Sequence, residues 1–330
     1  MTRRLSVLAA LVLSALSVAS GGARVAPRVA AKSSPARESA EGPFVFAYFV
    51  RNGEDGLHLA YSEDGLVWEP LAGGRSLLKP TIGRDRLMRD PHVTRGPDGL
   101  YRMVWTSSWT EPVVGYAESK DLINWSEQRS IRPVEHEPMA RNVWAPETFY
   151  DAGKKQYLLF WSTTIPGRFP ETDNAGDKGY NHRIYFTTTK DFRSFAPTRL
   201  FYEPGFNVID ATVVRDGRRY VMFLKDETRG PVAQKNLRWA ESARAEGPYG
   251  PASAPITGKY WAEGPTALRV GGRWIVYFDK YTEHRYGAVA SEDLLRWEDI
   301  SERVKFPEGT RHGTALRVPR AVLGKLLALK

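Results

Sequence analysis

From residue 43 onward, short runs of apolar and β-branched residues alternate with short polar turns, a pattern typical of antiparallel strands. Several pairs of such runs are joined by a turn that contains glycine, which indicates a β-hairpin. These hairpins cover residues 91–105, 147–160, 211–223 and 266–278. The pattern therefore predicts an all-β protein built from short strands.

A short phrase recurs along the chain and reads Ser or Thr, any residue, Asp, any three residues, and an aromatic residue. Its copies begin at Ser62, Ser119, Thr189 and Ser291. A degenerate copy near Ser242 lacks the aspartate and the aromatic register. Each unit then consists of a hairpin, a third strand, the turn and a fourth strand. Four-stranded units repeated every ~40 to 50 residues are typical of propeller blades.

The two ends of this pattern complement each other. The first unit has no inner strand of its own before residues 44–48, whereas residues 312–318 form a spare strand. If the two pair, no open sheet edge is left for association with another chain. We predict one five-bladed β-propeller over residues 43–320, with the N-terminal blade closed by the C-terminal strand and a C-terminal tail over 321–330.

The first residues of the chain do not follow the strand pattern. Residues 1–23 combine two arginines, an apolar run and small residues. They predict a secretory signal peptide, because the apolar run is shorter than the ~20 residues of a membrane-spanning helix. Residues 24–42 lack periodicity and are expected to form a flexible leader. We expect export to the periplasm or the extracellular space, without stable membrane association.

Composition narrows the chemistry that the chain can perform. Its 330 residues include no Cys, which excludes disulfides, thiolate metal sites and a Cys nucleophile. The formal net charge of +9 would suit a nucleic-acid partner, but the Lys and Arg residues are scattered among 38 acidic residues without a dense basic run. We therefore expect no nucleic-acid or nucleotide partner, and no organic cofactor.

A charged residue opens the inner strand of every unit. These residues are Asp90, Glu147, Asp210, Glu263 and His312. Because inner strands run side by side around a propeller axis, we expect the five side chains to converge on one mouth of the central channel. A single such acid is more typical of a turn, but four in register indicate a site with separated pKa values. The competing interpretation is a bound calcium or other ion near His312.

In this order and spacing, five short motifs resemble glycoside hydrolase family 43 across nearly all of residues 43–320. The motifs are Arg89-Asp90-Pro91, Val143-Trp144-Ala145-Pro146-Glu147, Ile209-Asp210-Ala211, Glu263-Gly264-Pro265 and Arg311-His312-Gly313. Members of that family are five-bladed propellers that act on glycans containing arabinose, xylose and sometimes galactose. The sequence departs from many relatives in the partial blade before Asp90 and in the presence of Glu147.

The resemblance implies that Asp90 is the general base, that Glu263 is the general acid, and that Asp210 orients Glu263 and raises its pKa. An inverting hydrolase needs base and acid ~6.5 to 9.5 Å apart to admit a water molecule. His312 would steady a water or an ion in the channel. The expected function is inverting hydrolysis of arabinofuranosyl or xylosyl linkages in plant-type polysaccharides or oligosaccharides.

Aromatic and charged residues near the same mouth are candidates for contacts with a carbohydrate, because aromatic rings stack on the C–H faces of sugars. The candidates are Trp109, Trp144, Phe149, Trp161 and Trp261, together with the polar residues Glu147, Lys225, Arg285 and His312. For Lys225 and Arg285, a solvated salt-bridged surface is the alternative. The insertion at residues 165–182, which contains several Gly and Pro residues, is expected to wall the pocket.

Two other functions are compatible with the sequence. A galactosidase-like or β-fructosidase-like retaining hydrolase would need a nucleophile in the first blade, where Glu54 and Asp55 are the candidates. A non-catalytic carbohydrate-binding propeller is the alternative outside enzymes, since a fold does not determine chemistry.

Overall fold

The structure is a computed structural model that describes residues 42–173 and 175–329. Its strands follow the chain in groups. The first two groups are β1 (Phe44–Phe49), β2 (His58–Ser62), β3 (Glu69–Pro70) and then β4 (Arg89–Arg95), β5 (Tyr101–Thr106), β6 (Val114–Ser119), β7 (Arg129–Ile131). The next two are β8 (Trp144–Asp151), β9 (Gln156–Thr163), β10 (Arg183–Thr189), β11 (Arg199–Tyr202) and then β12 (Val208–Asp216), β13 (Arg219–Asp226), β14 (Asn236–Ser242). The last elements are β15 (Glu263–Val270), β16 (Arg273–Lys280), β17 (Arg285–Ser291), β18 (Glu298–Asp299), β19 (Arg311–Arg317) and helix α1 (Arg320–Leu327).

The strands form five antiparallel sheets, which are the blades of a five-bladed propeller. Blade 1 has the order β19-β1-β2-β3, so the C-terminal strand supplies the inner strand of the N-terminal blade. Val45 of β1 pairs with Leu316 of β19 across this junction. Blades 2, 3 and 5 have four strands in sequence order or its reverse, and blade 4 has the three strands β12, β13 and β14. The predicted fold and its closure are confirmed.

The apolar core lies between the blades, because each sheet presents buried side chains to both of its neighbours. Five clusters of buried residues fill the five interfaces between consecutive blades. In the cluster between blades 1 and 2, Val45 and Leu59 pack with Met103 and Trp105. No blade therefore has a core of its own, and each one depends on its neighbours for burial of its apolar faces.

The recurrent phrase forms the same turn in each of its four full copies. In the first copy, the Ser62 hydroxyl accepts a hydrogen bond from the amide of Gly65, and Asp64 accepts from the two amides that follow. The copies at Ser119, Thr189 and Ser291 repeat these bonds. The degenerate copy lies in blade 4, the blade without a fourth strand. The blade whose turn lacks the aspartate is therefore also the blade that lacks a fourth strand.

Two segments outside the blades bear on the expected boundaries. Residues 321–330 were expected to be a tail, but helix α1 places Leu323 and Leu326 in the core cluster between blades 1 and 2. The predicted signal peptide and nearly all of the predicted leader lie outside the described residues. Nowhere in 42–173 or 175–329 is a helix long and apolar enough to cross a membrane.

Candidate active site

Each inner strand begins at the same end of the central channel, which we call the mouth, and carries a β-bulge there. The bulges are visible as register shifts in β4, β8, β12, β15 and between β1 and β19. The residues that open the bulges are Asp90, Ala145, Asp210, Gly264 and His312. All of these except His312 have a positive φ, from 45° to 60°. Bulges redirect side chains near active sites, and here they turn the start of each strand toward the mouth.

The structure corrects the alignment of charged residues that the sequence suggested. Asp90, Asp210 and His312 are equivalent, but Glu263 lies one residue before its bulge, level with Arg89 and Arg311. Glu147 lies two residues beyond Ala145, deeper in the channel. The motifs do lie at the starts of the inner strands, as predicted. Because each of these strands carries a bulge, however, Glu263 lies one residue before the bulge position and Glu147 lies two residues after it.

Asp90 is held as an anion. One carboxylate oxygen lies 3.3 Å from His312 Nδ1, and the other accepts a hydrogen bond of 2.7 Å from the Thr106 hydroxyl. Burial alone would disfavour ionisation, but His312 and Arg89 outweigh it and lower the pKa of Asp90 to about 2. Asp90 is therefore fully ionised at any pH near neutrality.

His312 lies at the centre of the group. Burial opposes its charged form, but Asp90 and, at longer range, Asp210 raise the pKa of the imidazole to about 9. The ring packs directly on Gly264, where a Cβ atom would lie 2.3 Å from His312 Cγ. Glycine is therefore required at position 264 for two reasons. Its φ is +60°, and a side chain there would collide with His312.

Asp210 has a very different environment from Asp90. Its carboxylate accepts a hydrogen bond from the backbone amide of Gly264 at 3.0 Å, and no cation among the described residues forms an ion pair with it. Burial raises the pKa of Asp210 to about 7, and the anions Glu263 and Asp90 add to the rise against the opposing effects of His312 and Lys225. Asp210 is therefore the carboxyl group that retains a proton near neutral pH.

Glu263 carries the opposite shift from the one expected. Lys225 Nζ donates to Glu263 Oε2 at 3.0 Å, and Arg311 Nη2 lies 3.4 Å from Oε1. Although burial acts to raise it, these two cations hold the pKa of Glu263 below its ordinary value. The expectation that Asp210 raises the pKa of Glu263 above the usual range is therefore wrong for the free protein. Because the two carboxyl groups interact, they titrate as a pair.

Several residues of this network were missed in the sequence. Asp279 is fully buried and accepts a hydrogen bond of 2.6 Å from Arg311 Nε, which fixes Arg311 beside Glu263. Burial and Glu263 raise the pKa of Asp279 to about 6, against the effect of Arg311. A signal was present: in blades 2 to 5, the second strand ends its apolar run with a polar residue at the same register. These residues are Thr106, Ser162, Lys225 and Asp279.

These strand ends connect neighbouring blades. Thr106 accepts a hydrogen bond from the amide of Ala145, and Ser162 accepts one from the amide of Asp210. Lys225 donates to the Glu263 carboxylate and Asp279 accepts from the Arg311 guanidinium, so these two strand ends hold the side chain that precedes the bulge of the next blade. The second strand of one blade thus positions the bulge of the following blade.

Aromatic residues line one side of the mouth. Trp144 Nε1 donates to the backbone oxygen of Trp109, and the two rings meet edge to face with centroids 5.6 Å apart. Trp144 also packs against Tyr180 and His182, at 4.7 and 4.9 Å between centroids. Trp109 is 41% exposed, so its ring is available to a ligand. Tyr180 and His182 come from the insertion at 165–182, which therefore does stand beside the site.

Other predicted contact residues lie elsewhere. Trp161 is 1% exposed and belongs to the core between blades 2 and 3, and Phe149 packs edge to face on Tyr220 in the next interface. Their assignment to sugar binding is wrong, because strand alternation turns them into the interfaces between blades. Arg285 is exposed and pairs with Glu283 and Glu302, as a solvated salt-bridged surface would.

The remaining candidates have defined places. Lys225 is fully buried rather than part of the mouth surface, and it also pairs with Glu227. Trp261 is half-buried, with Arg229 above its ring at 5.2 Å. Glu147 is buried in the channel, where its carboxylate lies 3.2 Å from His92 Nδ1. This position does not suit a direct contact between Glu147 and a ligand at the mouth.

The first-blade carboxylates do not join this group. Asp55 accepts a hydrogen bond from His58 at 3.0 Å. Glu54 is exposed and interacts with Asn52 and Arg89. No contact in the described part of the chain links either carboxylate to Asp90, Asp210 or Glu263. The structure therefore adds nothing to the case for a nucleophile at Glu54 or Asp55.

An ion near His312, held directly or through water, stays a prediction. Within 42–173 and 175–329, no group of three or more His, Asp and Glu side chains is arranged to hold a metal ion. We therefore assign no chemistry at this site to an ion.

The arrangement supports acid–base chemistry on a bound ligand. It offers one carboxylate that is always ionised, Asp90, and a pair, Asp210 and Glu263, that holds one proton up to about pH 7. An ionised base and a protonated acid at one mouth are what bond cleavage by water needs.

Comparison with known proteins agrees with this chemistry. The profile of a family related to glycoside hydrolase family 43, described as a probable glycosyl hydrolase domain, matches residues 40–323. An α-L-arabinofuranosidase of Bifidobacterium longum subsp. longum is 28% identical over 164 residues. That match covers 43% of this chain and only 15% of the length of the relative.

Solved structures share the fold. An α-L-arabinofuranosidase from Lactobacillus brevis superposes with a TM-score of 0.51 at 19% identity, over 64% of this chain and 72% of that one. An exo-β-1,3-galactanase from Clostridium thermocellum gives a TM-score of 0.52 at 13% identity, over 68% of this chain and 50% of the other. At these identities the likeness concerns the propeller alone.

Proposed function

This chain belongs to the family of probable glycosyl hydrolase domains related to glycoside hydrolase family 43, and from that membership we propose that it is an inverting hydrolase of arabinofuranosyl or xylosyl linkages in plant-type glycans. The observation that carries the proposal is the division of charge at the mouth. Asp90 is ionised, whereas Asp210 and Glu263 share a proton. Trp109 and Trp144 supply the aromatic surface on which a sugar ring would stack.

In this mechanism Asp90 acts as general base. It accepts a proton from a water molecule while the water oxygen attacks the anomeric carbon. The bond between that carbon and the glycosidic oxygen breaks, and Glu263 gives its proton to the departing oxygen. The products are a free sugar of inverted configuration and a new hydroxyl on the leaving group. Thr106 and His312 orient Asp90 through their contacts with its two oxygens.

Asp210, Lys225 and Arg311 determine whether the general acid Glu263 is protonated. In the free protein, Lys225 and Arg311 favour the anion of Glu263, and the shared proton resides on Asp210. A leaving group near Glu263 removes water from the pair, and desolvation favours a neutral carboxylic acid. The proton that Asp210 retains below about pH 7 is therefore the one available to Glu263 at each turnover.

The choice of sugar rests on the named relatives and on the motif order. The relative from Bifidobacterium longum is named an α-L-arabinofuranosidase, and its match covers less than half of this chain. The solved propellers that this chain resembles include both arabinofuranosidase and galactanase. Arabinofuranosyl and xylosyl substrates are proposed first, because the motif order across residues 43–320 resembles enzymes that release these sugars.

The test compares three variants on two kinds of substrate. On arabinan and arabinoxylan, Asp90→Asn and Glu263→Gln should each lower kcat/KM by about 10²- to 10⁴-fold. On nitrophenyl arabinofuranoside and xyloside, Glu263→Gln should lose much less than Asp90→Asn, because nitrophenolate leaves without protonation. Arg285→Gln, whose charge lies outside the site, serves as the matched control and should keep full activity.

Product analysis by NMR should show inversion at the anomeric carbon. If the wild-type protein binds these glycans but hydrolyses none of them, the hydrolase proposal fails and a carbohydrate-binding propeller takes its place. Retention of configuration would instead exclude the role of Asp90 as general base.

A further inference from the structure

Two arginines stand at the ends of the aromatic side of the mouth. Arg89 lies over the rings of Phe49 and Trp109, with its guanidinium carbon 4.7 and 4.2 Å from their centroids. Arg141 lies 4.1 Å above the ring of Tyr180. Because Trp109 meets Trp144 and Trp144 meets Tyr180, these three rings form one continuous surface, which we call the aromatic wall.

These two arginines differ from the other cations of the mouth in having no carboxylate within ion-pair distance. Lys225, Lys235 and Arg311 each pair with two carboxylates. For Arg89 and Arg141, no carboxylate oxygen of residues 42–173 and 175–329 lies within the 4.0 Å of an ion pair. Arg89 acts on Asp90 and on the exposed Glu54 only at longer range, so neither arginine is neutralised by an ion pair.

Both guanidinium groups are held in place but keep donors free. Arg89 Nη1 donates to Asn52 Oδ1 at 3.0 Å, and Arg141 Nη1 donates to the backbone oxygen of Gly179 at 2.7 Å. A guanidinium carries five N–H groups, so most donors of each arginine have no acceptor in the described part of the protein. Because rings and hydrogen bonds already order these side chains, a ligand would bind them at little cost in conformational entropy.

We propose that the aromatic wall binds an acidic glycan, with a uronate carboxylate on Arg89 and with Arg141 as a second anchor further along the wall. A guanidinium binds a carboxylate through two parallel hydrogen bonds between opposite charges, whereas a neutral hydroxyl offers no charge to pair with the arginine. The sugar ring that bears the carboxylate would stack on Trp109, whose side chain is partly exposed. The inference rests on the proposed function, since it names the class of glycan on which the same site acts.

The position of Arg89 ties this contact to the reaction. Arg89 directly precedes Asp90 and is among the charges that lower the pKa of Asp90. A uronate bound there would lie next to the base, on a sugar beside the arabinosyl or xylosyl unit that is released. The enzyme should therefore distinguish acidic from neutral glycans in its rate as well as in its affinity.

The test uses one polymer in two forms. An arabinoxylan that carries glucuronate is compared with the same polymer after chemical reduction of its carboxyl groups to alcohols, so that linkage and length stay constant. For the wild-type protein we expect kcat/KM to be about tenfold to hundredfold higher on the acidic form, and the ratio to shrink as salt is added. Arg89→Gln should bring the ratio close to one, Arg141→Gln should reduce it in part, and the control Arg285→Gln should leave it unchanged.

The outcomes separate the two proposals. Equal hydrolysis of both polymers by the wild-type protein would overturn the uronate inference and leave the hydrolase proposal intact. Arg89-dependent binding of the acidic polymer by Glu263→Gln, with no hydrolysis by the wild type, would support the inference as a binding site and defeat the hydrolase proposal. A sulfated galactan and its desulfated form complete the set. An Arg89-dependent preference for sulfate, with none for uronate, would overturn the assignment to a carboxylate.

Discussion

At the scale of single residues, the site shows how environment separates identical groups. Asp90 and Asp210 occupy equivalent bulge positions, yet Asp90 has a cation at 3.3 Å and Asp210 has a backbone amide and anionic neighbours. Their pKa values therefore move in opposite directions, to about 2 and about 7. The sequence predicted separated pKa values, but it assigned the raised one to Glu263, because the contacts from Lys225 and Arg311 arise on other blades.

The first prediction concerns the pH dependence of kcat/KM. The base Asp90 must be ionised, so activity should persist as the pH falls until the pKa near 2 is approached or the protein unfolds. The pair of Asp210 and Glu263 must hold a proton, so activity should fall about tenfold per pH unit above about pH 7. Initial rates measured from pH 4 to 9 would show this fall in kcat/KM at alkaline pH, with circular dichroism as a control for folding. A profile that stays flat to pH 9 would contradict the assignment of the proton to this pair.

At the scale of elements, the bulge and the strand end behind it form the unit that places the site. The end of one second strand holds the bulge of the next blade, as Thr106 does for Ala145 and Ser162 for Asp210. The hairpins and the Ser-x-Asp turns were predictable from local patterns, since their hydrogen bonds are formed within a few residues. The bulges were not, because a bulge is defined by the strand opposite to it and not by its own residues alone.

The second prediction tests the bulge of blade 5 through its glycine. Gly264 and Gly217 share a φ of +60°, but a Cβ at Gly264 would collide with His312, whereas nothing lies within 4 Å of one at Gly217. Gly217→Ala should cost about 1 kcal/mol of unfolding free energy for the strained backbone. Gly264→Ala should cost about 2 to 4 kcal/mol, because His312 must move as well. Urea denaturation measures both, and equal losses for the two variants would contradict the close packing of His312 on Gly264.

At the scale of the whole molecule, closure of the ring decides both stability and chemistry. All five core clusters lie between blades, and β19 contributes Leu316 to the cluster between blades 1 and 2 and Ala315 to the cluster between blades 5 and 1. Loss of β19 would therefore expose apolar residues of both clusters. The strand that closes the ring, β19, also brings Arg311 and His312 to the mouth. Folding of the propeller and assembly of the site are therefore one event. The order of the repeats predicted this closure. The N-terminal blade lacks an inner strand and the C-terminal end of the pattern has one to spare, so pairing the two leaves no open sheet edge.

The third prediction follows from this closure. A variant that ends at Gly309 lacks β19 and leaves β1 as an open edge, so it should lose its cooperative unfolding transition and self-associate. A variant that ends at Val318 keeps β19 and lacks helix α1. It should remain a cooperatively folded species of unchanged oligomeric state, with a lower midpoint because Leu323 and Leu326 no longer pack on the core. Thermal melts and analytical ultracentrifugation distinguish the two, and a cooperative variant ending at Gly309 would contradict the role of β19.

The sequence by itself determined the all-β class, the number of blades, the closing strand and the segments that meet at the mouth. These features depend on alternation of apolar residues, on turn chemistry and on repeat order, all of which are local along the chain. Only the tertiary structure decided which side chains of those segments face the site. Trp161 and Phe149 pack in the interfaces between blades, and Glu147 is buried in the channel. Arg311 contacts Glu263 and is held there by Asp279. The physical reason is that a shift of one residue in a strand reverses the direction of a side chain, and these shifts are set by pairing with strands that are distant in sequence.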